Sequence, residues 1–266
     1  MKSFIYFTLI LLITSAFTGK NEDTGYSQVS FPVFSTGELL EYKLNYSLFT
    51  VGKAQMRIHD GYYNINGRDC YRVDIFGKTS GAIDWVARVN DNWGAYIDTA
   101  VLVPHISYRK IEEGNYRKNE LIKFDHVTDM IEAKVVDNET GDFKEPEYIQ
   151  APDDIRDIIG GLFYLRSLDF DSMEKGSIIN VDAFFEDTVY DFDIKFIGNE
   201  EVKTKAGRFN AIVLQPIMPE NKMFAGENPI TVWLSDDLNR IPLKAEANMV
   251  IGKATCELIH FEGLRN

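Results

Sequence analysis

The sequence predicts an all-β fold, an antiparallel meander closed or partly closed into a barrel, with one amphipathic helix packed against or plugging it. Three observations carry that prediction. Apolar and polar residues alternate with period two along most of the chain, turn signals interrupt the alternation at short intervals, and one stretch, 151–166, changes to a period near 3.6. A dozen or more strands joined by hairpins would leave long exposed edges unless the sheet curled round on itself. The aromatic fraction of 13%, with 18 Phe and 13 Tyr, suits a pleated surface on which rings pack well. A two-sheet sandwich is the alternative architecture.

The chain opens with Met1-Lys2, an almost wholly apolar run from Ser3 to Ile13, and small residues through Thr18. That order is the signature of a secretory signal peptide, assigned to residues 1–18. The run is too short to span a bilayer comfortably, and no later run approaches its length. No Cys lies near the cleavage region to accept a lipid. An exported, periplasmic or envelope-associated protein is expected, soluble after cleavage. Residues 19–36 are polar, include Gly25 and Pro32, and are expected to form a flexible arm; residues 37–266 are expected to form one barrel-like domain.

Leu40, Tyr42, Leu44, Tyr46 and Leu48 alternate with polar residues, as do Ala54, Met56 and Ile58, so a hairpin is expected with its turn at Thr50-Val-Gly52. Asn66-Gly67 supplies the positive φ of a tight turn. A strand is expected from Ile83, with Trp85, Ala87 and Val89 on one face. Further hairpins turn at Glu113-Gly-Asn115, Asn138-Glu-Thr-Gly141, Gly198-Asn-Glu200, Gly207-Arg208 and Ser235 to Arg240, and a long connection covers Met218 to Pro229. Within 151–166, Ile155, Ile158, Ile159, Leu162 and Phe163 fall at i, i+3, i+4, i+7 and i+8, which aligns them on one helical stripe for packing. Asp153 and Asp154 stand where an N-cap and a first-turn acid belong, and Arg166 lies near the negative end of the dipole. Gly160 and Gly161 weaken a helix by roughly 1 kcal/mol each against Ala, which points to close backbone approach by a neighbour.

The formal net charge of −13 excludes a nucleic-acid partner, since a phosphate backbone requires a Lys/Arg footprint, and it disfavours docking to anionic lipid heads. Cys70 and Cys256 are the two cysteines; in an oxidising compartment they either pair across a very long loop or stay as two small buried hydrophobes.

Four stretches in order resemble the domain-of-unknown-function 3108 family of exported proteins. They are Gly37-Glu-Leu-Leu-Glu-Tyr-Lys-Leu-Asn-Tyr46 followed by Val51-Gly-Lys-Ala54, the helix with its Leu165-Arg166 end, Thr204-Lys-Ala-Gly-Arg-Phe209, and Trp233-Leu-Ser-Asp-Asp-Leu-Asn-Arg-Ile-Pro242. The resemblance implies an exported antiparallel β-meander of barrel-like shape, loosely similar to periplasmic lipoprotein-handling barrels. It implies no agreed activity and no catalytic residues.

Candidate binding residues are Trp85, Trp93 and Trp233, which could line a cavity that stacks sugars or holds an acyl chain, and Asp236, Asp237 and Arg240, which could hold a cation or sugar hydroxyl and orient an anion. Against this, rings on strands are more often core, and Asp and Asn in hairpin turns more often bond the backbone. His59, His105, His126 and His260 are scattered without metal-ligand spacing, so neither a metal nor a cofactor is expected. Neither G-x-S-x-G nor a Cys–His context appears, and no catalytic residue is assigned. The expected function is therefore a non-enzymatic binding protein for a lipid, glycan or envelope partner. A carbohydrate-active enzyme using paired carboxylates and a structural interaction module are the alternatives. An open apolar cavity would favour the first, an acid pair in a groove the second, and a filled interior the third.

Overall fold

A computed structural model describes residues 33–217, 223–226 and 228–266. The signal-peptide assignment, most of the expected arm and part of the 218–229 connection lie outside the described residues. The first half supplies β1 (Leu39–Tyr46), β2 (Phe49–Ile58), β3 (Tyr63–Ile65), β4 (Arg68–Thr79), the short helix α1 (Ile83–Val86), β5 (Asn90–Asp98), β6 (Pro104–Glu113), β7 (Tyr116–Asp125), β8 (Met130–Val135) and β9 (Glu147–Gln150). Helix α2 (Ile158–Arg166) follows, and then β10 (Ile178–Phe185), β11 (Thr188–Thr204), β12 (Gly207–Pro216), β13 (Ile230–Ser235), β14 (Pro242–Asn248) and β15 (Lys253–Glu262).

All fifteen strands belong to one antiparallel sheet. Its order runs from β10 through β15 to β1, then β2, β4 and on to β9, with the short β3 on β4. The seam that joins the two halves is β1 on β15, paired over the full length of β1. Nearly every neighbour in sequence is a neighbour in space, as short hairpin links dictate. The outer strands β9 and β10 are not paired with each other. Instead the chain leaving β9 touches β10 through a one-residue parallel bridge, in which Arg156 N donates to Asp182 O at 3.0 Å and Phe184 N donates to Arg156 O at 2.7 Å. The sheet is thus barrel-like without being closed by strand-to-strand hydrogen bonding.

Helix α2 lies against the concave side. Its Ile159 and Phe163 join a core cluster that includes Leu40, Ile58, Trp93, Ile97, Leu243 and Leu258, while Tyr164 joins a second cluster with Phe170, Val181, Phe196 and Leu214. Ile158 and Leu162 are half-buried against the core, and Ile155 is buried in a third cluster with Phe124 and Phe184. The helix starts later than the periodicity implies. Asp157, not Asp153 or Asp154, is the N-cap; its carboxylate accepts from Gly160 N at 2.7 Å, and Asp154 sits at φ 57°, which no helix contains. The apolar spacing continues upstream because Ile155 faces the same interior from an extended approach. A Cβ on Gly160 would stand 3.2 Å from Pro104 Cδ, which marks the close approach at that residue.

Other expectations need correction. The first hairpin turns at Ser47-Leu48, with Ser47 at φ 52°, rather than at Thr50-Val-Gly52. Gly52 is instead a strand residue whose missing side chain admits β4, since a Cβ there would fall 2.4 Å from Lys78 O. Residues 83–86 form α1 and not a strand, and Trp85 is fully in solvent rather than on a shared face with Ala87 and Val89. The end of the expected arm is not loose either. Phe34 is completely buried, its ring 4.5 Å from Phe163 and 5.3 Å from Tyr71.

Candidate functional site

Two charged centres lie inside the sheet, and each is assembled from elements distant in sequence. At one end, the last residue of α2, Arg166, is wholly buried and donates from Nη1 and Nη2 to the two carboxylate oxygens of Glu38 at 2.7 Å each. Nη2 also donates to Asn239 O at 3.0 Å. The Phe34 and Phe163 rings flank the guanidinium at 5.1 and 5.3 Å. A bidentate, ring-flanked arginine is the arrangement in which burial of such a pair is best compensated. Asn239 is held in turn by the 235–241 turn, where Asp237 accepts from Asn239 N, Arg240 N and Ser235 Oγ, and Ser235 Oγ accepts from Ile241 N. Three of the four stretches that carry the family resemblance therefore meet at one ion pair. The remaining one, 204–209, packs Ala206 and Phe209 against the same core and ties Ala206 N to Leu258 O. Apart from Arg166 Nε, which is buried without a partner, the polar atoms here are occupied by protein, which makes this centre a fastener.

The second centre is built on the β6–β7 hairpin. Arg109 and Glu120 stand opposite each other in register and both point inward, Arg109 engaging Glu120 through Nε and Nη2. Lys118 Nζ lies 2.9 Å from the other carboxylate oxygen. The guanidinium sits 4.9 Å from the Trp93 ring and 4.8 Å from the Phe185 ring, and its Nη1 reaches only to 3.8 Å from Glu186. Burial pushes the Asp157 carboxyl up to about 7, against the opposing pull of its Gly160 hydrogen bond and Arg109. The cavity these residues line, together with Tyr108, Ile122 and Phe184, has a volume of about 20 Å³. That is room for about one water molecule, far below the several hundred Å³ of a small-molecule pocket.

Three acid sites, Glu120, Asp157 and the Asp91–Glu113 pair, do not fit glycoside cleavage. Glu120 is taken up by Arg109 and Lys118, and Asp157 by the helix cap. Asp91 and Glu113 are joined by a direct hydrogen bond, with burial the main push upward on Asp91. Carboxyls that close leave no room for a sugar carbon between them, which needs roughly 5 Å or more. Among the described residues, no three His, Cys, Asp or Glu side chains converge to hold a metal ion.

The structure does not bring the sequence-nominated residues together. Trp85 is exposed on α1, Trp93 is stacked on Phe185 in the second centre, and Trp233 is buried on β13 with its indole N–H donating to Glu200 at 2.6 Å. Asp236 accepts from Asn199 at 2.7 Å, Asp237 is the turn acceptor described above, and Arg240 lies with its guanidinium 5.3 Å from the Phe170 ring. Cys70 and Cys256 are both free thiols. Cys256 faces Leu44, whose partner Gly52 faces Thr79, and Cys70 is nine residues further along β4. That displacement is about 30 Å of strand, which no disulfide crosses. Sequence reasoning missed Glu38, Asn239, Arg109, Glu120 and Asp157. The Arg109–Glu120 pair was readable by counting back from the turn at Gly114-Asn115, whereas nothing in the spacing joins Glu38 to Arg166.

These features define a class: a barrel-like antiparallel sheet wound round one short helix, fastened at one end by a buried ion pair. The chain belongs to the family described as Protein of unknown function (DUF3108), whose match covers residues 41–259. Among solved structures, it is similar to a beta-barrel-like protein of domain of unknown function DUF1849 from Brucella abortus, at 9% identity and TM-score 0.56 over 87% of this chain and 98% of that one. A lipoprotein candidate from Parabacteroides distasonis matches at 11% identity and TM-score 0.35, over 86% and 98% of the two chains. An exported-protein candidate with a YmcC-like fold from Bacteroides fragilis matches at 8% identity and TM-score 0.36, over 86% and 97%. No curated protein matches the chain.

Proposed function

We propose that this is an exported, envelope-associated interaction protein without catalytic activity, and that it meets its lipid, glycan or protein partner on the outside of the sheet rather than in a cavity. The observation that carries this reading is the occupied interior. Side chains of α2 and of the Phe34 segment fill the concave side, and the cavity beside Arg109 has room for one water. Among the described residues, the cavity beside Arg109 is too small for an acyl chain or a sugar ring to enter without displacing core residues. The apolar start of the sequence supports export, and among the described residues no helix is long and apolar enough to cross a membrane. Native mass spectrometry of protein purified from its own envelope tests the reading. The folded chain is expected at its bare mass, with partners held in complexes that survive mild extraction. A stoichiometric small molecule retained by the folded monomer would overturn it.

A further inference from the structure

Exposed apolar residues are common singly, and they matter when they are contiguous. Here six of them, Leu48, Phe49, Trp85, Val86, Val250 and Ile251, are between 62% and 96% exposed and sit on three connections at one end of the sheet. The three connections are neighbours. Ser47 N donates to Lys253 O at 2.6 Å and the Tyr46 hydroxyl donates to Ile251 O, which joins the β1–β2 and β14–β15 turns. Ser80 N donates to Val51 O at 3.0 Å, which joins the start of β2 to the segment carrying α1. Hairpin turns ordinarily carry polar residues; these carry Leu, Phe, Trp, Val and Ile.

A second feature lies just behind the turns. Lys43, Lys53 and Lys78 are directly opposite one another across β1, β2 and β4, in one row on the outer face. Like charges in register destabilise a sheet, and a chain with net charge −13 has acids to spare for pairing them. Among the described residues none of the three has an ion pair, and the exposed Arg88, two residues after Val86, has none either. Against these four cations stand two carboxylates, Glu257 opposite Lys43 at the far end of the row and Asp84, which accepts the Thr79 hydroxyl at 2.7 Å, so the balance among these groups is positive.

We infer that this end of the sheet docks on a bilayer surface carrying anionic headgroups, with the apolar turns entering the interface and the lysine row facing the phosphates. The proposal rests on the reading of the protein as an envelope interaction protein, and it names the partner. An apolar element seated ~5–10 Å into the headgroup boundary with basic residues behind it is the general form of interfacial binding. Lys43 lies four residues before Ser47, about 13 Å along the strand, and its long flexible stem allows the ammonium to reach toward the headgroups. The overall negative charge does not prevent this, because charges farther than a Debye length of ~8 Å are screened at physiological salt.

Trp85 provides its own reporter, since it is 93% exposed while Trp93 and Trp233 are each 8% exposed. The exported protein is mixed with vesicles of phosphatidylglycerol and phosphatidylethanolamine, or of phosphatidylcholine alone, and followed by tryptophan emission and by sedimentation. Emission is expected to shift to the blue on the anionic vesicles, with binding at least about tenfold weaker on phosphatidylcholine. Leu48→Ser with Ile251→Ser, both at solvent-exposed positions, should lower binding by about tenfold or more, and Lys43→Gln with Lys53→Gln and Lys78→Gln should abolish the preference for anionic lipid. Absence of vesicle binding, or binding indifferent to the turn variants, ends the inference. So does a blue shift that grows with protein concentration without vesicles, which would assign the patch to a second copy of this chain. Retention on envelope material stripped of lipid, without vesicle binding, would end the bilayer inference and leave the interaction-protein reading standing. Binding to neither would end both.

Discussion

Replacing Arg166 by Met removes a charge that is entirely enclosed, and replacing Glu38 by Met removes its partner. The two side chains are 0% and 1% exposed, so neither can turn to water when the other is lost. Breaking a buried pair from one side costs about 3–5 kcal/mol, because the remaining charge is left desolvated and unpaired. For a domain of this size that corresponds to a fall in melting temperature of roughly 6–20 °C for each single variant. The double variant Glu38→Met with Arg166→Met should behave differently. Both charges are then gone, the Phe34 and Phe163 rings still line the site, and the expected loss is only ~0–2 kcal/mol. The interaction energy read from the cycle should therefore exceed ~3 kcal/mol.

Urea denaturation followed by near-ultraviolet circular dichroism measures all four corners of the cycle. Salt provides an internal control, since 0.5 M NaCl screens surface pairs and should leave this coupling intact. Additive losses, with the double variant as poor as the two singles combined, would refute the reasoning. They would mean that Arg166 holds the end of the sheet through its stem or through Asn239, and that the carboxylate is incidental.

Asp157 makes stability depend on pH in a defined direction. The folded protein keeps this proton up to about pH 7 and the unfolded chain releases it near 3.8, so the native state binds more protons between those values and stability falls as pH rises through the window. The loss is at most ~4 kcal/mol, and Asp157→Asn, which still caps the helix, should flatten the difference between pH 5 and pH 8 in paired thermal melts; parallel curves for variant and parent would contradict it. Gly52→Ala should lose about 1–3 kcal/mol or more because the new methyl meets Lys78 O, whereas Gly77→Ala, with open space around it, should stay within ~0.5 kcal/mol. Equal urea midpoints for those two variants would show that β2 and β4 are not held as closely as described. Ile159→Asp should cost at least ~3 kcal/mol by placing an unpaired charge in the core, and an unmoved circular-dichroism melt would remove α2 from it.

Period-two alternation made most strands and their pairing legible, because hairpin links leave sequence neighbours few places to go. However, β11 runs unbroken through the turn expected at Gly198-Asn-Glu200, and β12 begins at the Gly207-Arg208 expected to turn. Asn66-Gly67 turns where its chemistry says it must, with φ of 52° and 80°. The misreadings share a cause. Gly52 carries a turn residue's signature but serves close packing, and Trp85 carries a strand residue's signature but sits on a helical turn whose surroundings provide no core. Ile155 kept the helical period while belonging to an extended segment, because both approaches face one interior. Periodicity reports which side of the chain is buried. The backbone that delivers it there is decided by contacts with Pro104, Val181 and Lys78, which lie tens of residues away.

The motifs that stand out along the chain do not mark the surface most able to meet a partner. Glu38, Arg166 and the Asn239 turn spend most of their polar atoms on one another, and the one donor left over, Arg166 Nε, is buried out of reach of a ligand in solvent. At the other end, Leu48, Trp85 and Ile251 stand on turns with no shared pattern, and they become one surface only after β15 pairs with β1 and β2 with β4. The lysine row has the same origin, since Lys43, Lys53 and Lys78 are far apart in sequence and are aligned by register alone. A fastened end requires specific partners in fixed geometry, which leaves recognisable local sequence. An interfacial end requires only apolar bulk and positive charge in the right place, which many sequences satisfy and no linear motif records.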